Sequence, residues 1–260
     1  MKTRLRQAVL VIPILMIASS LPASAVTITN VTTNTTLFSD NFESGVTPSI
    51  PQTGSWSLFG PDVTVTNAPN PGPAQGSFYL QLFRDSNAIG QGNSRAAFNS
   101  SLANPGDVIE LTMMVYIPSA ADADARAQLM LDDGDFSSAR AWVRPDGNGH
   151  VEAVGPGFST SNTGLSYQTD TWQEWQLDYV VGATTFSVIV NGHTVSGLSA
   201  PTNGVVGGAD LFNGVVAPGS FFLDAVPAVV TGVPEPKSLW LTGVGLLALA
   251  GITRRTARSR

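Results

Sequence analysis

Between Val26 and Val233 helical signals are nearly absent. Short runs of alternating, β-branched and aromatic residues follow one another instead, separated by clusters of Gly, Asn, Asp and Pro. The pattern predicts strands at Thr27–Asn30, Leu37–Asp40, Ser55–Leu58, Thr64–Thr66, Phe78–Phe83, Arg95–Asn99, Val108–Tyr116, Ala127–Leu131, Ala139–Arg144, His150–Val154, Thr171–Val181, Thr185–Val190 and Ser220–Val226. Turn chemistry between them is explicit: Asp132-Asp133-Gly134-Asp135, Pro145-Asp146-Gly147-Asn148-Gly149 and Asn191-Gly192 supply residues that tolerate positive φ. The one helical candidate, Ala120–Ala127, reads equally well as a loop of Ala and Asp. Thr27 to Thr36 alternates in a way that predicts an N-terminal edge strand with one wet face. Many short strands at near-regular spacing predict an all-β fold, a two-sheet antiparallel β-sandwich or jelly roll.

The two ends have a different character. Lys2, Arg4 and Arg6 precede an apolar run from Ala8 to Ala18, and Ala23-Ser24-Ala25 supplies an A-x-A site, so residues 1–25 read as a signal peptide. The sandwich is expected over residues 26–228 and a linker over 229–237. Val233-Pro234-Glu235-Pro236 cannot join a helix interior or a sheet ladder, because both prolines lack an amide hydrogen. Residues 238–260 then carry a short hydrophobic segment and a basic tail with Arg254 and Arg255. Fifteen residues of helix reach roughly 22 Å, a marginal span for a hydrocarbon core of about 30 Å. In order, spacing and position this tail resembles the PEP-CTERM sorting signal of exported Gram-negative bacterial proteins. The resemblance implies export across the inner membrane by the secretion machinery and transient membrane insertion of the tail as a transmembrane helix. It further implies processing by an exosortase, with the product at the cell surface or in the extracellular matrix, in the company of exopolysaccharide.

Eight of the thirteen basic residues lie in those ends, leaving five arginines and no lysine against eighteen of the nineteen acidic residues, a body of net charge −13. Such a body disfavours nucleic acid. The chain has no cysteine, so no disulfide supports the fold in an oxidising compartment.

Within the body, Trp172-Gln173-Glu174-Trp175-Gln176-Leu177-Asp178-Tyr179 followed by Thr185 to Gly192 resembles the penultimate hairpin of concanavalin A-like or laminin G-like sandwiches. Leu37 to Gly45 and Gly219 to Val226 resemble the opening and closing strands shared by those folds and by jelly-roll carbohydrate-binding modules. The resemblance leaves the choice between these superfamilies open. In the carbohydrate-binding modules a structural calcium sits where the opening and closing strands meet, which implies Asp40, Glu43 and Asp224 as calcium ligands. Aromatic rings can stack on pyranose faces while Arg takes hydroxyls, which makes Trp56, Tyr79, Arg84, Trp142 and Arg144 the candidate carbohydrate-binding residues. Trp56, Trp172 and Trp175 also suit a sandwich core, whereas Trp142 shares a strand face with Arg140 and Arg144 and is expected to be more open. Catalytic patterns are absent: there is no E-x-D-x-x-E run, Glu174 and Asp178 share a strand face without a third partner, and His150 and His193 stand apart. The sequence therefore predicts an exported, non-enzymatic surface or matrix protein that binds extracellular polysaccharide. The alternatives are a purely structural or adhesive matrix protein and a divergent glycoside hydrolase.

Overall fold

A computed structural model describes residues 26–84, 93–119, 127–134, 138–213 and 219–226. The expected signal peptide (residues 1–25), the expected sorting motif Val233–Pro236 with the basic tail, and the helical candidate at 120–127 lie outside the described residues, except for Ala127, which begins a strand.

The alternation read from the sequence produces two antiparallel sheets. The first takes β1 (Val26–Asn30), β2 (Thr35–Asp40), β4 (Val63–Thr66), β5 (Tyr79–Arg84), β7 (Val108–Tyr116), β12 (Trp172–Val180), β13 (Thr185–Val190), β14 (His193–Ser199) and β16 (Gly219–Asp224). Its order is β14-β13-β12-β7-β16-β5-β4, with β1 and β2 beside the start of β7. The second takes β3 (Ser55–Phe59), β6 (Asn93–Ala97), β8 (Ala127–Asp132), β9 (Ala141–Pro145), β10 (His150–Val154), β11 (Thr160–Ser166) and β15 (Gly208–Asn213), in the order β11-β10-β9-β8-β15-β6-β3.

Strict period two explains which side chains fill the space between the sheets. Ile109, Leu111, Met113 and Val115 of β7 are buried against Trp175, Leu177 and Tyr179 of β12 and Phe186, Val188 and Val190 of β13. Ala127, Leu129 and Leu131 of β8, Ala141 and Val143 of β9, and Ala209 and Leu211 of β15 face them from the other sheet. Without disulfides, this apolar layer is the main favourable term, at about 25 cal/mol per Å² removed from water.

The strand β1 and the closing strand β16 share one edge of β7, while β2, the opening strand read from sequence, pairs with β1 and not with β7. Ile109 to Met113 pair with β1 and Met114 to Tyr116 pair with β16. This corrects the expectation of an N-terminal edge strand: β1 lies between β2 and β7. Asn30, at its end, is buried because its amide donates to Asp107 Oδ2 at 2.8 Å and to the Leu102 carbonyl at 2.9 Å. Three strands were not anticipated. β11 and β14 are rich in Thr, Ser and Gly, with too few apolar positions to mark an alternation, whereas β15 is a short Gly-Ala-Asp-Leu-Phe-Asn run whose Ala209 and Leu211 reach the core; pairing with their neighbours holds all three in the sheets.

Candidate functional site

The outer face of the seven-stranded sheet brings together the side chains that alternate away from the core. Register places Asp210 opposite Met130 and Met130 opposite Trp142; in the neighbouring row Glu152 stands opposite Arg144 on one side and Asn162 on the other. Toward β15 and β8 this face is closed. Gln128, Met130, Asp132, Asp210 and Phe212 are all buried. Toward β9, β10 and β11 it opens, and Arg144 and Glu152 are partly exposed there, joined by an ion pair of 3.0 Å.

Trp142 sits at the boundary between the closed and open halves. It is only 7% exposed, which corrects the expectation of an open ring. Met130, Val154 and Phe212 surround it, and its indole N–H donates to Gln128 Oε1 at 2.9 Å. The ring is covered from outside by Phe158, whose centroid lies 5.8 Å away with the planes at 86°, an edge-to-face contact. Phe158 itself is 65% exposed.

Phe158 is presented at the cost of backbone strain. It has φ +62°, and the preceding Gly157 has φ +66°, so two consecutive residues of the Pro156–Phe158 turn are left-handed. Glycine does this freely, but a bulky side chain there costs about 1–3 kcal/mol and persists only where the surroundings impose it. Sequence reasoning did not single out Phe158. The available signal was an aromatic residue directly after a Pro-Gly pair, where the chain punctuates and no core can be reached.

The other carbohydrate candidates lie elsewhere. Trp56 points inward and packs against Phe38, Phe42 and Phe59, with its indole N–H 2.7 Å from Asp40 Oδ2. Tyr79 is fully buried among Trp172 and Phe222, and its hydroxyl donates to the carbonyls of Ala68 and Asn70. Tyr79 offers no ring face to a ligand, because it is fully buried, whereas Trp56 is half-buried with its indole turned to Asp40 and the core aromatics. Arg84 ends β5 on the other sheet, and its side chain lies outside the described residues.

The three carboxylates expected to hold calcium divide into one and two. Asp40 is buried and accepts three hydrogen bonds, from Phe42 N, Ser49 Oγ and Trp56 Nε1. Burial raises its carboxyl above the ordinary range, while those donors pull it back. It serves the turn after β2 and does not join the other two.

Glu43 and Asp224 converge on the segment 74–78: Glu43 Oε1 accepts from Ser77 N at 2.8 Å and Phe78 N at 2.9 Å, and Asp224 Oδ2 accepts from Gln75 N at 2.9 Å. Gly76 makes this possible, since a Cβ there would lie 2.3 Å from Glu43 Oε1. Burial pushes the Asp224 carboxyl up to about 6, against the pull of the loop amides, and the nearby Glu43 charge adds to the rise. Two carboxylates that close suit a cation chemically, yet the loop turns N–H groups toward them, whereas calcium takes carbonyl oxygens. Among the described residues no group of three or more His, Cys, Asp or Glu side chains is placed to hold a metal ion.

A second carboxylate pair lies on the outer face of the nine-stranded sheet. Asp178 of β12 stands directly opposite Glu110 of β7, and the Gln176 amide nitrogen bonds both, at 2.8 Å and 2.9 Å. Desolvation raises both carboxyls, and for Glu110 the charges of Asp178 and Glu174 add to it. The partner that Asp178 lacks in the sequence is therefore supplied from a strand some seventy residues away.

No protein-family model matches the sequence, and no curated protein is similar to it at a meaningful level. Solved structures do resemble the fold. An endo-β-1,4-glucuronan lyase from the fungus Trichoderma reesei matches 66% of this chain and 89% of its own length at 12% identity, with a TM-score of 0.45. The galectin LEC-6 of Caenorhabditis elegans matches 55% of this chain and 95% of its own, at 16% identity and a TM-score of 0.35. A sialidase matches 63% of this chain at 8% identity and a TM-score of 0.48, but the chain spans only 16% of that protein.

These likenesses concern the fold alone. They also correct the expectation of a non-enzymatic chain, since the matched structures include a glucuronan lyase and alginate lyases. One ground for that expectation changes as well: the further carboxylate partner that Asp178 lacks in its own strand is provided by Glu110.

Proposed function

We propose that this chain is an exported protein of the cell surface or extracellular matrix whose sandwich binds polysaccharide on the open side of the seven-stranded sheet. Phe158 carries the reading. An aromatic ring held 65% exposed by two left-handed residues, at the rim of a face bearing Arg144 and Glu152, has the form of a sugar-stacking platform beside hydrogen-bonding groups. Trp142 supports that ring from below, and Arg144 and Glu152 address the hydroxyls. Affinity electrophoresis through a panel of polysaccharides tests this: retardation of the wild type by at least one polymer, lost in Phe158→Ala at unchanged Tm, is expected, and equal retardation of the two proteins sinks it.

Delivery by a PEP-CTERM-type signal belongs to the same proposal. Val233 to Pro236 followed by the apolar segment and Arg254 and Arg255 supports it, with an exosortase as the processing partner. Intact mass of the exported protein decides, and a mass retaining residues 237–260 contradicts processing. Calcium enters the proposal at Glu43 and Asp224 only, since Asp40 is committed to its three donors.

A second reading, cleavage of a glycan, is favoured by the Glu110–Asp178 pair. One nitrogen bonds both carboxylates, so their nearest oxygens lie within roughly 6 Å, near the separation used by retaining glycosidases. Reducing-end release that disappears in Glu110→Gln and Asp178→Asn is its signature, and a wild type that releases none removes it.

A further inference from the structure

We infer that the glycan taken by this face is a neutral polysaccharide and not a uronate polymer; the inference rests on the sugar-binding reading above. Recognition of a polyanion needs cationic side chains free to meet it. Here each described arginine in or next to the seven-stranded sheet is already matched by carboxylates of the same region. Arg144 Nε lies 3.0 Å from Glu152 Oε2. Arg95 is 2.5 Å from Asp132 Oδ1 and 3.7 Å from Asp210 Oδ1. Arg140 donates through Nε to the Val205 carbonyl at 2.8 Å and through Nη1 to Thr202 Oγ1, and it lies 3.8 Å from Asp133 Oδ2. Three arginines thus face four carboxylates.

The rest of the body cannot reverse that balance. From residue 26 to 233 there is no lysine, and five arginines stand against eighteen acidic residues. Charges within a Debye length of about 8 Å act on a bound polymer, so a uronate chain on the open strands meets repulsion from Glu152 as well as attraction to Arg144. An uncharged chain meets neither. Its hydroxyls can accept from the guanidinium and donate to the Glu152 carboxylate without breaking the ion pair, while Phe158 takes a sugar face.

The test uses the full chain with four probes: a neutral β-glucan, a neutral galactomannan, alginate and polyglucuronate, each with and without EDTA. Expected is binding to a neutral polymer that changes less than twofold between 50 and 500 mM NaCl and is at least tenfold weaker for both uronates. Tighter binding to a uronate, whether weakened by salt or dependent on a divalent cation, overturns the inference; if Phe158→Ala weakens that binding, the sugar-site reading survives. Binding to none of the four overturns both. Glu152→Gln gives a readout that misfolding cannot mimic: freeing Arg144 should raise affinity for alginate severalfold, and no gain for alginate contradicts the pairing argument.

Discussion

Asp224 links the closing strand to the loop at 74–78, and its charge state should set how stability depends on pH. Its side chain is fully buried, with Gln75 N on one oxygen and its neighbour Ala225 N on the other. Burial holds the carboxyl at about 6 in the folded protein against 3.8 in the unfolded chain. The group binds its proton more tightly when folded, so its contribution is fully present below about pH 4 and is lost as pH rises to 6 and beyond. At about 1.4 kcal/mol per pKa unit, ionising it in place costs up to about 3 kcal/mol by pH 8. Asp224→Asn cannot ionise but still presents an oxygen to Gln75 N. The stability of this variant relative to wild type should therefore rise by up to about 3 kcal/mol between pH 4 and pH 8, or roughly 6–12 °C in Tm for a domain of this size. Urea melts of both proteins in EDTA, at half-unit steps across that range, measure it. A difference that stays flat refutes the burial argument. One that falls with pH means that the ionised form is the stabilised one, with the loop amides outweighing burial.

The other expectations are local. Gly76→Ala should destabilise by about 1–3 kcal/mol, since a Cβ drives into Glu43 Oε1 and φ is +72°; a neutral result in chemical melts would mean that Glu43 does not anchor the loop. Asp132→Ala should cost about 3–5 kcal/mol by leaving Arg95 with its near partner removed in a closed region, whereas a loss below 1 kcal/mol would show that Asp210 alone satisfies the guanidinium. Calcium at millimolar concentration should raise the Tm of wild type but not of Asp224→Asn if Glu43 and Asp224 hold it; an unchanged wild-type Tm removes calcium from the account.

Much of the fold was legible because period-two alternation is written directly into β7, β12 and β13, where Val108–Tyr116 and Thr185–Val190 keep the boundaries read from sequence. The polar strands β11 and β14 were not legible, because their residues alternate in no apolar property and pairing with neighbours holds them; β15 was missed because its buried Ala209 and Leu211 make too short a run after the Gly-rich stretch before it. The site was legible in part. Arg144 and Trp142 follow from alternation along β9, but burial of Trp142 depends on Phe158 and Phe212, which reach it from 16 and 70 residues away in the chain. Phe158 depends on two left-handed residues, a conformation that Pro-Gly hints at and only the fold imposes. The pairing of Asp178 with Glu110 is a matter of register between distant strands, which no local pattern encodes.

The central claim is that polysaccharide sits on the open half of the seven-stranded sheet, over Phe158, Arg144 and Glu152. Amide hydrogen exchange of the full chain with and without a bound polymer tests it most directly. The account predicts new protection at Ala141–Pro145, His150–Val154 and the turn through Phe158, with β12 and β13 unchanged. Protection confined to the face that carries Glu110 and Asp178, or to the segment 74–78, would contradict it.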